Sequence, residues 1–88
     1  MQAITIRPTG LFEKQYRKLP KKIKEFAKQK EVAFRENPFH PSLDTHKLHG
    51  KDKDVWAFSI NHKYRIKFVF LNTTTALFLE IGLHDIYR

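Results

Sequence analysis

The chain has 88 residues, 17 Lys plus Arg against 9 Asp plus Glu, a formal charge of +8 and no cysteine. That length suits one domain over 1–88, and the 41% apolar content suffices for one modest core. The missing cysteines exclude disulfide staples, thiolate catalysis and cysteine-ligated zinc, and fit a reducing cytoplasm. With no long apolar run near the N-terminus, neither a signal peptide nor a membrane span is expected.

In chain order, Ala3-Ile4-Thr5-Ile6-Arg7 is β-branched and alternating, which predicts a short strand ended by Pro8. Thr9 can cap a helix whose Phe12, Tyr16 and Leu19 recur at helical spacing. Pro20 suits the first turn of a second helix, with Ile23, Phe26, Ala27 and Phe34 on one stripe. Asn37-Pro38 stops that helix, because the residue before a proline disfavours helical geometry. From Phe39 to Lys53 the chain is polar, and a loop is expected.

Three strands follow. Trp56, Phe58 and Ile60 alternate with Val55, Ala57 and Ser59, and Asn61-His62-Lys63 makes a tight connection. Tyr64, Ile66, Phe68 and Phe70 form one face of the next strand, with Arg65 and Lys67 on the other. After Asn72-Thr73-Thr74, Leu77, Leu79 and Ile81 alternate with Ala76, Phe78 and Glu80. The expected fold is α+β, ordered β-α-α-β-β-β, an antiparallel sheet with two helices packed on one face. The opposite face is expected to carry Ser59, Arg65, Lys67, Phe78 and Glu80 and to be partly wet.

An excess of +8 points to an anionic partner, nucleic acid first, then an acidic protein or an anionic membrane. Lys21, Lys22, Lys24 and Lys28 form one cluster on the second helix, and Lys47, Lys51 and Lys53 another on the loop. Both suit salt-dependent phosphate contacts, the alternative being an ordinary solvated face. His46 and His49 stand three apart, but no carboxylate–histidine cluster completes a zinc site, so no metal or other cofactor is expected.

The order of elements, with His46-Lys47-Leu48-His49-Gly50 before the meander, Trp56 opening it, Tyr64-Arg65-Ile66 at its centre and Gly82-Leu83-His84-Asp85 near its end, resembles the RelE/ParE toxin superfamily. The resemblance covers essentially the whole chain and is nearest the ribosome-dependent mRNA endonucleases RelE, YoeB and YafQ. It implies the toxin of a type II toxin–antitoxin pair, cutting mRNA without metal through attack of a ribose 2′-OH on the adjacent phosphate. The implied partners are a cognate antitoxin, mRNA and the ribosome, with a homodimer or a toxin–antitoxin hetero-oligomer as assemblies.

By the same resemblance, His46 falls at the histidine or glutamate position of the catalytic loop. Arg65 matches the strand arginine, His84 the C-terminal histidine and Tyr87 the nearby aromatic. On the ground of their chemistry alone, Lys47, His49, Lys51, Lys53, Lys67 and Arg88 are expected to contact RNA. The chain departs from YafQ-like members at Ser59 and Lys63, where those have a histidine and an acid. Tyr87 stands three residues after His84, where family members place the aromatic four after.

The implied chemistry needs a base for the 2′-OH, a cation for the phosphorane and an acid for the leaving 5′-oxygen. His46 and His84 can serve as base and acid in either order, Arg65 as phosphate clamp, and Tyr87 as a stacking or proton-shuttling group. Two other readings stay open: a ParE-like gyrase inhibitor and an RNA-binding module without catalysis. Arg65 paired with Glu80 on the neighbouring strand is the structural alternative to a phosphate clamp.

Overall fold

Phe34 organises the core. In the computed structural model, which describes residues 3–48 and 54–83, its ring lies 5.0 Å from Phe58, 4.9 Å from Phe68 and 5.2 Å from Phe78. All four are fully buried. The aromatic cluster joins the longer helix to three strands of one sheet and dominates the buried apolar surface.

Strand β1 (Thr5–Pro8) leads into helix α1 (Gly10–Arg17), and α2 (Lys21–Glu36) follows. The proposed cap is present: Thr9 Oγ1 accepts from the Phe12 amide at 3.0 Å. Pro20 stands one residue before α2 as its N-cap, and its carbonyl accepts from the Lys24 amide. On α2, Ala27 and Phe34 are buried and Phe26 packs against the core, as the spacing predicted.

Strands β2 (His46–Lys47), β3 (Trp56–Ser59), β4 (Tyr64–Asn72) and β5 (Thr75–Leu83) complete a five-stranded sheet in the order β1-β5-β4-β3-β2. The α+β class and the β3–β4–β5 antiparallel meander are as expected, with the helices packed on the apolar face. The sheet is nevertheless mixed, because β1 pairs parallel to β5. The segment expected to be all loop also has structure. Its 3₁₀ turn (Pro41–Leu43) buries Leu43 completely, and His46–Lys47 pairs antiparallel with β3. Two paired residues leave too short a pattern for alternation to reveal.

The expected wet position of Phe78 is corrected by a β-bulge. Lys67 pairs with Glu80, but its neighbour Phe68 pairs with Phe78, so Leu79 is an extra residue on β5. The extra residue flips the alternation, and Phe78 and Ile81 both face the core while Glu80 faces away. Helix α1 absorbs the irregular backbone. Thr9 donates through its amide to the Phe78 carbonyl at 3.0 Å and through its hydroxyl to the Leu79 carbonyl at 2.8 Å. Beyond them the Ile81 amide donates to Gln15 Oε1 at 2.8 Å.

Candidate functional site

The register arranges the outer sheet face in two rows. One runs His46, Ala57, Lys67 and Glu80 across β2, β3, β4 and β5. The next, two residues along, runs Ser59, Arg65 and Gly82. Small residues thus alternate with the cations and the histidine. Strand geometry sets the Cα atoms of His46 and Arg65 roughly 12 Å apart, within joint reach of a ring and a guanidinium around one phosphodiester. His46 and Lys67 stand on either side of Ala57, about 10 Å apart by the same spacing.

Each side chain has a local anchor. His46 is exposed, and its Nδ1 lies 2.9 Å from the Asp44 carbonyl. As a donor there, Nδ1 leaves Nε2 as the ring's acceptor. Arg65 Nη1 donates to the Asn61 carbonyl at 2.7 Å and to the Tyr64 carbonyl at 3.2 Å. Asn61 is itself set by its own side chain, whose Oδ1 accepts from the amides of Lys63 and Tyr64, each at 2.9 Å. The β3–β4 turn therefore fixes the guanidinium. Sequence reasoning assigned Asn61 only to a tight connection; the signal for more was the preference of Asn for accepting amides two and three residues on.

The alternative pairing of Arg65 with Glu80 does not occur in the register. Arg65 pairs with Gly82, and Glu80 takes Lys67 at 3.8 Å, with side chains 29% and 17% exposed. Lys67 is thereby partly neutralised, which fits an auxiliary charge. Lys47, one residue on from His46 and opposite Trp56, belongs to the other face of the sheet and meets Asp54 at 3.6 Å in open solvent, a contact of little energetic weight.

The structure thus brings His46, Lys67 and Arg65 onto one face. His49, Lys51, Lys53, His84, Tyr87 and Arg88 lie outside the described residues. Among the described residues, no helix is long and apolar enough to cross a membrane.

A second concavity, about 650 Å³, lies between α1, α2 and β1, against Ile6, Phe12, Tyr16 and Val32. Glu31 borders it. Burial pushes the Glu31 carboxyl above the ordinary carboxylate value, against the opposing pull of Arg35 and Lys28. Tyr16 is raised too, first by burial and then by Glu31.

No family model and no curated protein sequence matches the chain. Solved structures do. The YoeB/ParE toxin from Agrobacterium tumefaciens superposes with a TM-score of 0.78 at 13% identity, over 92% of this chain and 99% of that one. The toxin–antitoxin complex RelBE2 from Mycobacterium tuberculosis gives 0.79 at 17% identity, over 93% and 99%. The DinJ–YafQ toxin–antitoxin complex of E. coli gives 0.75 at 17% identity, over 96% of each chain. The chain has the fold of the RelE/ParE toxins along almost its entire length.

Proposed function

We propose that this chain is the toxin of a type II toxin–antitoxin pair and acts in the cytoplasm as an endoribonuclease that cleaves mRNA at the ribosome and so inhibits translation. The observation that carries this reading is the outer sheet face, where His46, Arg65 and Lys67 share a rigid surface floored by small residues. The toxin fold and the +8 charge support it.

The side chains supply the three chemical needs. One of His46 and His84 takes the proton of a ribose 2′-OH. The oxygen attacks the adjacent phosphorus, and Arg65 stabilises the charge on the phosphorane. The other histidine protonates the departing 5′-oxygen, leaving a 2′,3′-cyclic phosphate and a 5′-hydroxyl. Tyr87 stacks on a base or relays a proton. Lys47, His49, Lys51, Lys53, Lys67 and Arg88 neutralise flanking phosphates of mRNA or ribosomal RNA. The natural partner is an antitoxin of opposite charge. Two of the similar structures, RelBE2 and DinJ–YafQ, are toxin–antitoxin complexes.

The test is induced expression with transcript integrity followed by primer extension, for the parent and for Arg65→Ala, His46→Ala and His84→Ala. Cleavage within coding regions, lost in Arg65→Ala, is expected. Intact transcripts together with altered DNA supercoiling would favour a gyrase inhibitor.

A further inference from the structure

Where β3 turns into β4, the outer sheet face opens into a cleft of about 320 Å³, at the lower end of the range for small-ligand sites. Ser59 and Arg65 reach it from the outer face, His62 from the turn, and Lys30 from α2. Its far wall is the 3₁₀ turn with Ser42 and Asp44, held to α2 by Lys30 Nζ, which donates to the Ser42 carbonyl at 3.1 Å. The cleft thus connects the catalytic face proposed above to the lysine-rich helix.

We infer that this cleft is a subsite for one nucleotide of single-stranded RNA flanking the cleavage position, with Lys30 and His62 holding its phosphate. The assignment rests on the proposed ribonuclease reading. Three observations carry it. The cleft begins at Arg65, whose guanidinium is fixed by the Asn61 carbonyl and therefore aligned before any ligand arrives. The Lys30 ammonium and the His62 imidazole line the cleft together with Arg65, and Lys30 is held on the 3₁₀ turn that leads into His46, so a strand passing from the outer face into the cleft meets these side chains together. Among the described residues of the lining, Asp44 contributes the one carboxylate. A carboxylate repels phosphate but accepts from a ribose hydroxyl or the amine of a base, which orients the nucleotide with its phosphate toward Lys30 and His62. The Asp44 carbonyl also carries the His46 ring contact, so occupancy of the cleft and alignment of the catalytic histidine involve the same residue.

The probe is a fully 2′-O-methylated RNA hexamer, which binds but cannot be cleaved. Its affinity for the full chain is measured by fluorescence anisotropy over a series of salt concentrations. Lys30→Gln and His62→Gln are each expected to weaken binding about tenfold, whereas Lys18→Gln, at the exposed end of α1, leaves it unchanged. Lys30→Gln also lowers the salt slope by about 0.7. Lys30→Arg keeps the charge and retains binding, and thermal melting of every variant separates misfolding from a lost contact. In the parent, the His62 imidazole resonances shift on addition of the hexamer. If Arg65→Ala weakens binding but both glutamine variants bind as the parent, or the His62 resonances stay fixed, the cleft is not the subsite and the ribonuclease reading stands. If the glutamine variants behave as expected but the parent cleaves no transcript, the cleft binds RNA without flanking a cleavage position, and the ribonuclease reading fails.

Discussion

The Thr9 hydroxyl donates to the carbonyl of Leu79, 70 residues along the chain, at 2.8 Å, while the same oxygen accepts from the Phe12 amide at 3.0 Å. One side chain thereby caps α1 and satisfies the bulge that sends Phe78 into the core and Glu80 to the outer face. Thr9→Val removes both interactions at nearly constant volume. It is expected to cost about 1–2 kcal/mol, measured by urea unfolding, with Thr9→Ser recovering most of it.

Phe34 touches one phenylalanine from each of β3, β4 and β5. Phe34→Ala leaves a cavity between α2 and the sheet and should destabilise by ~3–5 kcal/mol. For a domain this small, that is enough to unfold much of the population, and circular dichroism at 25 °C is the check.

Glu31 is raised by burial, so the folded state holds its proton more tightly than the unfolded chain does. Between the ordinary carboxylate value and the raised one, the folded state binds more protons, and stability contributed by this group falls as pH rises. Glu31→Gln should therefore raise the melting temperature at pH 7 and lose that advantage below the ordinary carboxylate range. Melting curves of both proteins at pH 7 and pH 3.5 test the sign; a larger gain at the acidic pH contradicts it.

For catalysis, Arg65→Ala is expected to slow cleavage by about 10²–10³-fold. Arg65→Lys should recover little, because an ammonium cannot both grip two phosphate oxygens and reach the Asn61 and Tyr64 carbonyls in the same fork. Lys67→Ala should have a far smaller effect, since Glu80 already meets that charge. Single-turnover cleavage of one mRNA on programmed ribosomes ranks the three.

Removing either proposed proton-transfer histidine should lower the cleavage rate by about 10²–10⁴-fold. The parent's pH–rate profile is expected to be bell-shaped, and each of His46→Ala and His84→Ala should lose one limb. Loss of the same limb in both variants would mean that one of them has no proton-transfer role.

Much of this molecule was legible in the chain because the relevant signals are local. The 2.0-residue alternation of Tyr64 to Phe70 set Arg65 and Lys67 on one face, and the helical spacing of Phe26, Ala27 and Phe34 set the core stripe. Thr9 and Asn72 marked ends through hydrogen bonds a few residues away, and Asn37 did so through the proline that follows it. What tertiary structure alone decided depends on pairing between distant residues. The Leu79 bulge is written in the register of β5 against β4, and it reversed the expected exposure of Phe78. The parallel docking of β1 on β5 and the two-residue β2 are pairings whose sequence patterns are too short to announce them. For the site, the sequence determined which groups are present: histidines for proton transfer and an arginine that stays charged. The sheet decided that His46 lies across Ala57 from Lys67, that Glu80 goes to Lys67 and not to Arg65, and that Lys30 and His62 share a cleft. Charge and rotamer preference travel with each residue, but distance between residues exists only once the strands have chosen their partners.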